Sequence, residues 1–585
     1  MNRQMRMQMR LYRNIFLILA AAAASMQVMP AQNLDPTVEV SRAYEGKLME
    51  VHKPALEMEV PDSVMQFDLE FDYSVFESPY KGSYEFNPYL LSMKPGRTAD
   101  ASRRFYLRAG AGYQLHPQLD LVWSPKMGKG FKMDVYATHR SFVGNYLNIG
   151  AGKSVSGETV LSKTYKDGQA ETWKGYDMLS KAGFDAKHDW KKGVFTFGAN
   201  YYGMAQKDRQ WSRNYNALDA YLGFGNKGDW EQSFLYDLRV DYRYGADRHD
   251  IERTPYYDEH IFGLDVSMGP VFRENHKVLF DLGMDITSYK TNGSHAYAIP
   301  HYVFEKGPFM LDAGLRLDVL LHRYDMGDFS SKGQLVYPDV KFHIALVPDA
   351  LRLYMNAGGG IKLNTYSSLI ASNHHIVGDS PFGPLLDYSV ERVSLAGGFE
   401  GRISSHFSYN LRAGYVNYAN EAVEAAAYIP DCPNVAGVVY APYQKWYAGL
   451  DWCLDVEGFR FDGSIVYTDA WGDVFERSSV FAPAALTGNA AVEYNWKRRV
   501  FLGADCEFST SRKVMWVDHT TPLPYVAKPA YIPGYADLGV YAEYVTSRSL
   551  SFWLRGGNLL NMTIQRNPLY AEKGPYFTAG ICLNL

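Results

Sequence analysis

The chain has 585 residues, a hydrophobic fraction of 47%, a mean hydropathy of -0.27 and a formal net charge of -5. That charge offers no basic field for nucleic acid, and Cys432, Cys453, Cys506 and Cys582 have neither disulfide-framework nor metal-site spacing and are read as structural. Aromatics nevertheless reach 15%, with 45 Tyr and 51 Gly, which fits a barrel whose strands alternate between lipid and water and carry aromatic girdles at both interfaces.

Residues 1–31 read as a secretory signal peptide: Arg3, Arg6, Arg10 and Arg13 precede the apolar run from Ile15 to Ala24, and Met29-Pro30-Ala31 forms a small-residue cleavage site. No cysteine stands at that site for lipid attachment. No later stretch approaches the roughly 20 apolar residues of a spanning helix, so a helical membrane protein is excluded.

Residues 32–100 are acidic and Pro-punctuated, with Glu39, Glu45, Glu50, Glu57, Glu59, Asp62, Asp68 and Glu70. They are expected in the periplasm. Within them Val51, Leu56, Met58, Val60 and Val64 supply enough apolar surface to dock a periplasmic protein partner or to occlude a pore, a reading preferred here over an idle tether.

From 101 to 585 the period becomes two. Phe234, Tyr236, Leu238, Val240, Tyr242 and Tyr244 alternate with Leu235, Asp237, Arg239, Asp241, Arg243 and Gly245. Leu311, Ala313, Leu315, Leu317, Val319 and Leu321 alternate with Asp312, Gly314, Arg316, Asp318, Leu320 and His322. The same holds for Val278 to Ile286, Phe407 to Tyr415, Val500 to Phe508 and Ala536 to Tyr544. Ten-residue alternating segments match a tilted barrel strand crossing hydrocarbon.

Connections alternate in length. Short turns fall at Trp190 to Gly193, Asn226 to Glu231, Arg273 to Lys277, Glu305 to Pro308, Val347 to Ala350, Ile403 to His406, Leu454 to Gly458, Trp496 to Arg499 and Thr546 to Ser549, whereas Asn364 to Ser389, Asn417 to Val435, Ser509 to Pro533 and Met562 to Lys573 are long. Tyr146 to Gly152 is assigned to the first large outer loop. Short periplasmic turns and long extracellular loops are the topology of bacterial outer-membrane barrels. The fold is therefore an all-β, antiparallel transmembrane barrel of about 22 strands, in the outer membrane of a Gram-negative bacterium, with both chain ends in the periplasm. The chain closes on a strand in which Phe577, Ala579, Ile581, Leu583 and Leu585 alternate with Thr578, Gly580, Cys582 and Asn584.

Gly557-Asn558-Leu559-Leu560-Asn561, the loop with Tyr570, and Gly574-Pro575-Tyr576-Phe577-Thr578-Ala579-Gly580-Ile581 together resemble the end of TonB-dependent receptors. Tyr388-Ser389-Val390-Glu391 leading into Val393 to Glu400 is similar to that family as well. The resemblance implies a 22-stranded barrel in the outer membrane. The chain departs from the family ahead of the barrel, where about 70 residues stand in place of a plug of well over a hundred, without a segment acceptable as the energy-coupling box.

Candidate chemistry is sparse. Asp237, Arg239, Asp241, Arg243, Asp312, Arg316 and Asp318 are expected to face the lumen, where they form either a selectivity surface or, as their interleaved signs favour, paired structural charges. His374-His375 is a weak metal candidate, read as a solvated loop. Gly378-Asp379-Ser380 looks like a nucleophile fragment but lacks a strand-to-helix elbow and a placed His, so no enzyme and no cofactor are expected. Trp173, Trp211, Tyr215, Tyr366 and Phe382 offer flat surfaces to a ligand, or serve as interfacial aromatics. The reading is a transport or channel component of unknown ligand, surrounded by outer-membrane lipid, whose lumen is occluded by loops or the N-terminal segment. The alternative is a non-conducting structural or assembly subunit anchoring periplasmic partners.

Overall fold

The computed structural model describes residues 104–585 apart from 192, 210, 227–232, 251–255, 273–274, 290–291, 323–335, 377–384, 428–434, 477–479 and 518–526. Residues 1–31 and 32–100, with Val51, Leu56, Met58, Val60 and Val64, lie outside the described residues, as do Cys432, the Gly378 to Ser380 fragment and Phe382.

Twenty-two antiparallel strands form one sheet that closes on itself. The first, Phe105–Gly112, pairs with the last, Tyr576–Asn584, from Tyr106 opposite Asn584 to Gly112 opposite Thr578. The Arg104 and Phe105 N–H groups donate to the Leu585 carbonyl at 2.6 and 2.9 Å, which ties the two ends of the barrel together beside the short turns. Closure leaves no edge strand with unpaired backbone groups, as hydrocarbon surroundings demand.

The period-two pattern explains the two surfaces. Phe234, Leu238, Tyr242, Tyr244, Leu315, Leu317, Val319 and Leu321 are each 39–55% exposed on the outside, an apolar belt that suits lipid and would be costly against water. Near the short turns Trp190 stacks on Phe224 and Phe224 on Tyr236, each at 5.5 Å between ring centres, in the manner of an interfacial girdle. The turns are tight. Lys497 and Arg498 both take positive φ (54° and 56°), the primed geometry whose twist matches a two-strand hairpin.

Several strands continue far past the membrane at the long-loop end. Phe407–Ala427 has 21 residues, Val435–Val456 has 22 and Thr172–Trp190 has 19, against the roughly 9–11 needed to cross. This corrects the expected Asn417 to Val435 loop, most of which is strand. Its physical cause is packing: Val416, Tyr418, Val423 and Ala425 bury against Ala441, Tyr443, Val474 and Val480, so the paired backbones carry a small core of their own above the bilayer. Tyr146 likewise belongs to the strand Phe131–Leu147, and Ile149–Lys153 pairs with Thr159–Lys163. The long link from Ser509 to Pro533 contains a hairpin of Arg512–Val517 and Ala527–Ile532, whose second strand pairs in parallel with Thr159–Lys163.

The seam between first and last strands is tightly packed. A Cβ on Gly110 would press into the Trp553 indole and the Ala579 carbonyl. Gly110→Val is expected to destabilise the closed barrel by about 1–3 kcal/mol, read as a lower temperature at which the compact, fast-migrating form is lost in semi-native electrophoresis; an unchanged transition would contradict this account of the seam.

Candidate functional site

The seven wall charges lie on the face opposite the exposed apolar belt. Arg239 pairs with Asp241 at 2.9 Å, Arg243 with Asp219 of the neighbouring strand, and Arg316 with Asp318 at 3.0 Å. His295 approaches Asp318 at 2.7 Å, and His301 bridges Asp281 and Asp312 at 3.2 and 2.8 Å. Asp237 stands two residues before Arg239 on the same face. Opposite signs meet across and along strands, which distributes charge along the wall instead of concentrating one sign in a ring.

The long loops gather at the other end. Helix α1 (Tyr366–Ser372) lies between the strands Leu351–Leu363 and Tyr388–Ser404 and starts with a capping box: Thr365 accepts from the Ser368 N–H, and Ser368 Oγ accepts from the Thr365 N–H, each at 3.1 Å. Seven residues are too few for a stable isolated helix. Packing holds it, through buried Tyr366, Leu369 and Ile370.

A polar clamp fixes the same helix to strands five to seven places earlier in the barrel order. Arg213, in the strand Ser212–Gly225, donates to both carboxylate oxygens of Asp247 (2.8 and 3.0 Å), to the Tyr366 hydroxyl (2.6 Å) and to the carbonyls of His374 (2.9 Å) and Ile376 (2.5 Å). The Tyr366 hydroxyl in turn donates to Asp247. Glu259 accepts from the hydroxyls of Tyr215 (2.6 Å) and Tyr289 (2.8 Å) and from the Ser367 N–H (3.1 Å). The Arg213 and Asp247 side chains are fully buried, and such a pair is tolerable only because its remaining donors and acceptors are met.

Around this clamp the loops share one apolar core, to which Ile149, Leu161, Ile370, Ile376, Leu385, Phe481, Val514, Ile532 and Leu569 contribute from five separate connections. Gln565 Nε2 donates to the Leu161 carbonyl at 2.9 Å, and Arg512 donates to the carbonyls of Gln565 (3.0 Å) and Arg566 (2.9 Å). Trp211, Tyr215 and Tyr366, proposed from sequence as stacking surfaces, are 2%, 1% and 0% exposed and belong to the packing. Trp173 stacks on Tyr146 at 4.8 Å.

Beside that stack lies a narrow cleft, partly open to solvent, lined by Tyr146, Trp173, Asp177, Gln206, Asp208 and the pair His374 and His375, with Tyr570 and Glu572 from the last long loop. The two histidines pack against the cleft wall, where the sequence suggested a freely solvated loop: the part-exposed His374 has its Nε2 3.5 Å from Asp177, and the His375 ring stacks on Tyr570 at 3.5 Å and 8°. The physical reason is the Arg213 clamp, which draws the carbonyls on either side of His375 into the core. Burial holds His375 well below its ordinary pKa and raises Asp208 to about 6, against the lowering effect of the Arg209 N–H that donates to it at 2.6 Å. Tyr570 also hydrogen-bonds Asp208. Among the described residues no group of three or more His, Cys, Asp or Glu is arranged to hold a metal ion. Sequence reasoning missed Asp177, Gln206 and Asp208, because nothing in their local pattern distinguishes them from other strand ends.

No family model and no curated protein matches the sequence. Among solved structures the chain is similar to the copper transporter OprC (TM-score 0.56, 10% identity, 83% of this chain and 80% of that one), to the siderophore receptor PirA from Acinetobacter baumannii (0.58, 10%, 83% and 80%) and to the FrpB iron transporter from Neisseria meningitidis (0.55, 10%, 83% and 81%). At that identity the likeness is one of fold, a closed 22-stranded antiparallel barrel like those of these transporters and this receptor.

Two outcomes follow from the loop geometry. Arg213→Met leaves Asp247 buried without its partner and is expected to weaken the loop core by about 3–5 kcal/mol, seen as new protease cleavage within 364–387 while the barrel stays compact; continued protection would refute the clamp. The second concerns His116, in the outer turn between the first two strands, which accepts from Lys573 at 3.1 Å. Burial, with Lys573 adding to it, pushes His116 down from 6.5 to about 3. The detached imidazole therefore binds a proton that the packed one refuses, and the contact weakens as pH falls from 6.5 toward 3. Asp208, raised from 3.8 to about 6, acts in the opposite sense within that window. Comparing His116→Gln with the wild type isolates the imidazole: its loss between pH 7 and pH 5, about 2 kcal/mol, should vanish from hydrogen exchange of residues 558–575 in the variant.

Proposed function

We propose that the protein is an outer-membrane transport or channel component whose lumen is closed at rest by its own long loops. The observation that carries this reading is the clamp of Arg213, Asp247, Tyr366 and Glu259, which joins α1 to strands several places away around the barrel. A contact of that kind runs over the mouth and not along the wall. The shared apolar core of five connections supports the same reading, since an unfilled lumen of this size would leak. Proteins of the same fold are described as a copper transporter, a siderophore receptor and an iron transporter, which favours carriage of a small cargo over catalysis or simple anchoring. The 32–100 segment, with Val51, Leu56, Met58, Val60 and Val64, is assigned in this proposal to docking a periplasmic partner or to a second occlusion from below.

Planar-bilayer recordings of the signal-cleaved protein test the proposal. The wild type should be silent, and deletion of residues 366–376 should produce discrete large openings. Steady conductance in the wild type would overturn loop closure. Silence in both, joined with loss of a co-purifying periplasmic protein when 33–97 is deleted, would establish the anchoring alternative instead.

A further inference from the structure

The cleft beside the Tyr146 and Trp173 stack contains an unmet demand. Gln206 is 3% exposed, lines the cleft, and neither its Oε1 nor its Nε2 has a hydrogen-bond partner. A buried carboxamide left so costs the desolvation of a donor and an acceptor together. One ligand group supplies both complements in the right spacing: another amide edge, whose N–H meets Oε1 and whose carbonyl meets Nε2.

The surroundings define the rest. Asp177, Asp208 and Glu572 line the same space. Of the basic residues in the lining, Lys207 is exposed, His375 is held neutral by burial and His374 stands 3.5 Å from Asp177, so three carboxylates face at most two cationic groups. A Cβ on Gly175 would run into the Trp173 ring and the Lys207 carbonyl; only glycine lets the indole lie down against the strand and make a flat wall with Tyr146. An aromatic wall next to carboxylates favours a cation. The space is narrow and partly open to solvent, so it admits the end group of a ligand and not the body of a polymer.

We infer that the cleft formed by Tyr146, Trp173, Asp177, Gln206, Asp208 and Glu572 binds a small organic cation that carries an amide edge, of the class of an amino-acid amide or the amino end of a short peptide. Gln206 pairs with the amide, the carboxylates receive the ammonium or guanidinium, and the aromatic pair covers its flat side. As cargo, this ligand rests on the transport reading given above; as a binding site, it is measured separately.

Calorimetric titration of the full signal-cleaved protein in detergent at pH 7.5 provides the test, with four probes: arginine amide, N-acetylglycinamide (amide without charge), tetramethylammonium (charge without amide) and glucose. Arginine amide is expected to bind at least about tenfold more tightly than any other probe, and Gln206→Leu to weaken it by about tenfold. Equal or better binding of glucose or of the uncharged amide overturns the inference, as does absence of arginine amide binding. Should Gln206→Leu fail to form a compact barrel, the ranking of the four probes on the wild type decides alone, and Trp173→Ala provides the second variant, with a loss of similar size expected. Binding to the wild type without conductance in the variant lacking residues 366–376 would sink the transport reading and leave the site; conductance without binding would do the reverse.

Discussion

Backbone hydrogen bonding governs this molecule. In hydrocarbon no water is available to an unpaired N–H or C=O, so a strand-built chain must pair every strand on both sides, and the pairing of Phe105–Gly112 with Tyr576–Asn584 completes the circle. Everything else depends on that closure. It sets the two ends of the barrel beside the short turns, sends the long connections to the opposite end, and leaves a wide interior whose polar side chains have to be matched to one another.

The interior meets this demand in two ways. Along the wall, charges of opposite sign pair across neighbouring strands, as Arg243 does with Asp219 and His301 with Asp281 and Asp312. At the long-loop end the extended strands and their connections bury a core that is neither barrel wall nor lipid belt. A short helix that would not persist alone is held there by an arginine saturated with acceptors. Low dielectric makes such a clamp all-or-none: complete, it fixes one arrangement; with one member missing, it leaves a buried charge.

The cleft beside the clamp has the opposite character. Gln206 is buried with neither side-chain polar atom hydrogen-bonded, while burial raises Asp208 to about 6. Unmet polar groups in an otherwise saturated core are the places where a ligand gains most, because it satisfies groups already desolvated. The fully satisfied clamp and the unsatisfied Gln206 are neighbours through one segment, since Tyr366 belongs to the clamp while His374 and His375 line the cleft.

Period-two alternation is local, and so the sequence alone determined the strands, their inward and outward faces, the short-turn and long-loop ends, the closing strand at Phe577 to Leu585 and the strand number. Each of these depends only on which residue follows which, given that lipid and water reward opposite side chains. Where local chemistry was silent the reading went astray: Asn417 to Val435 looked like a loop because small and polar residues there serve a core visible only in three dimensions, and His374-His375 looked solvated because the carbonyl clamp on either side comes from Arg213, 161 and 163 residues away. Only the tertiary structure decided which loops meet. Arg213 and Tyr366 are 153 positions apart and Gln565 and Leu161 are 404 apart, and no spacing along the chain encodes a contact that exists only because the closed barrel brings distant connections over the same opening.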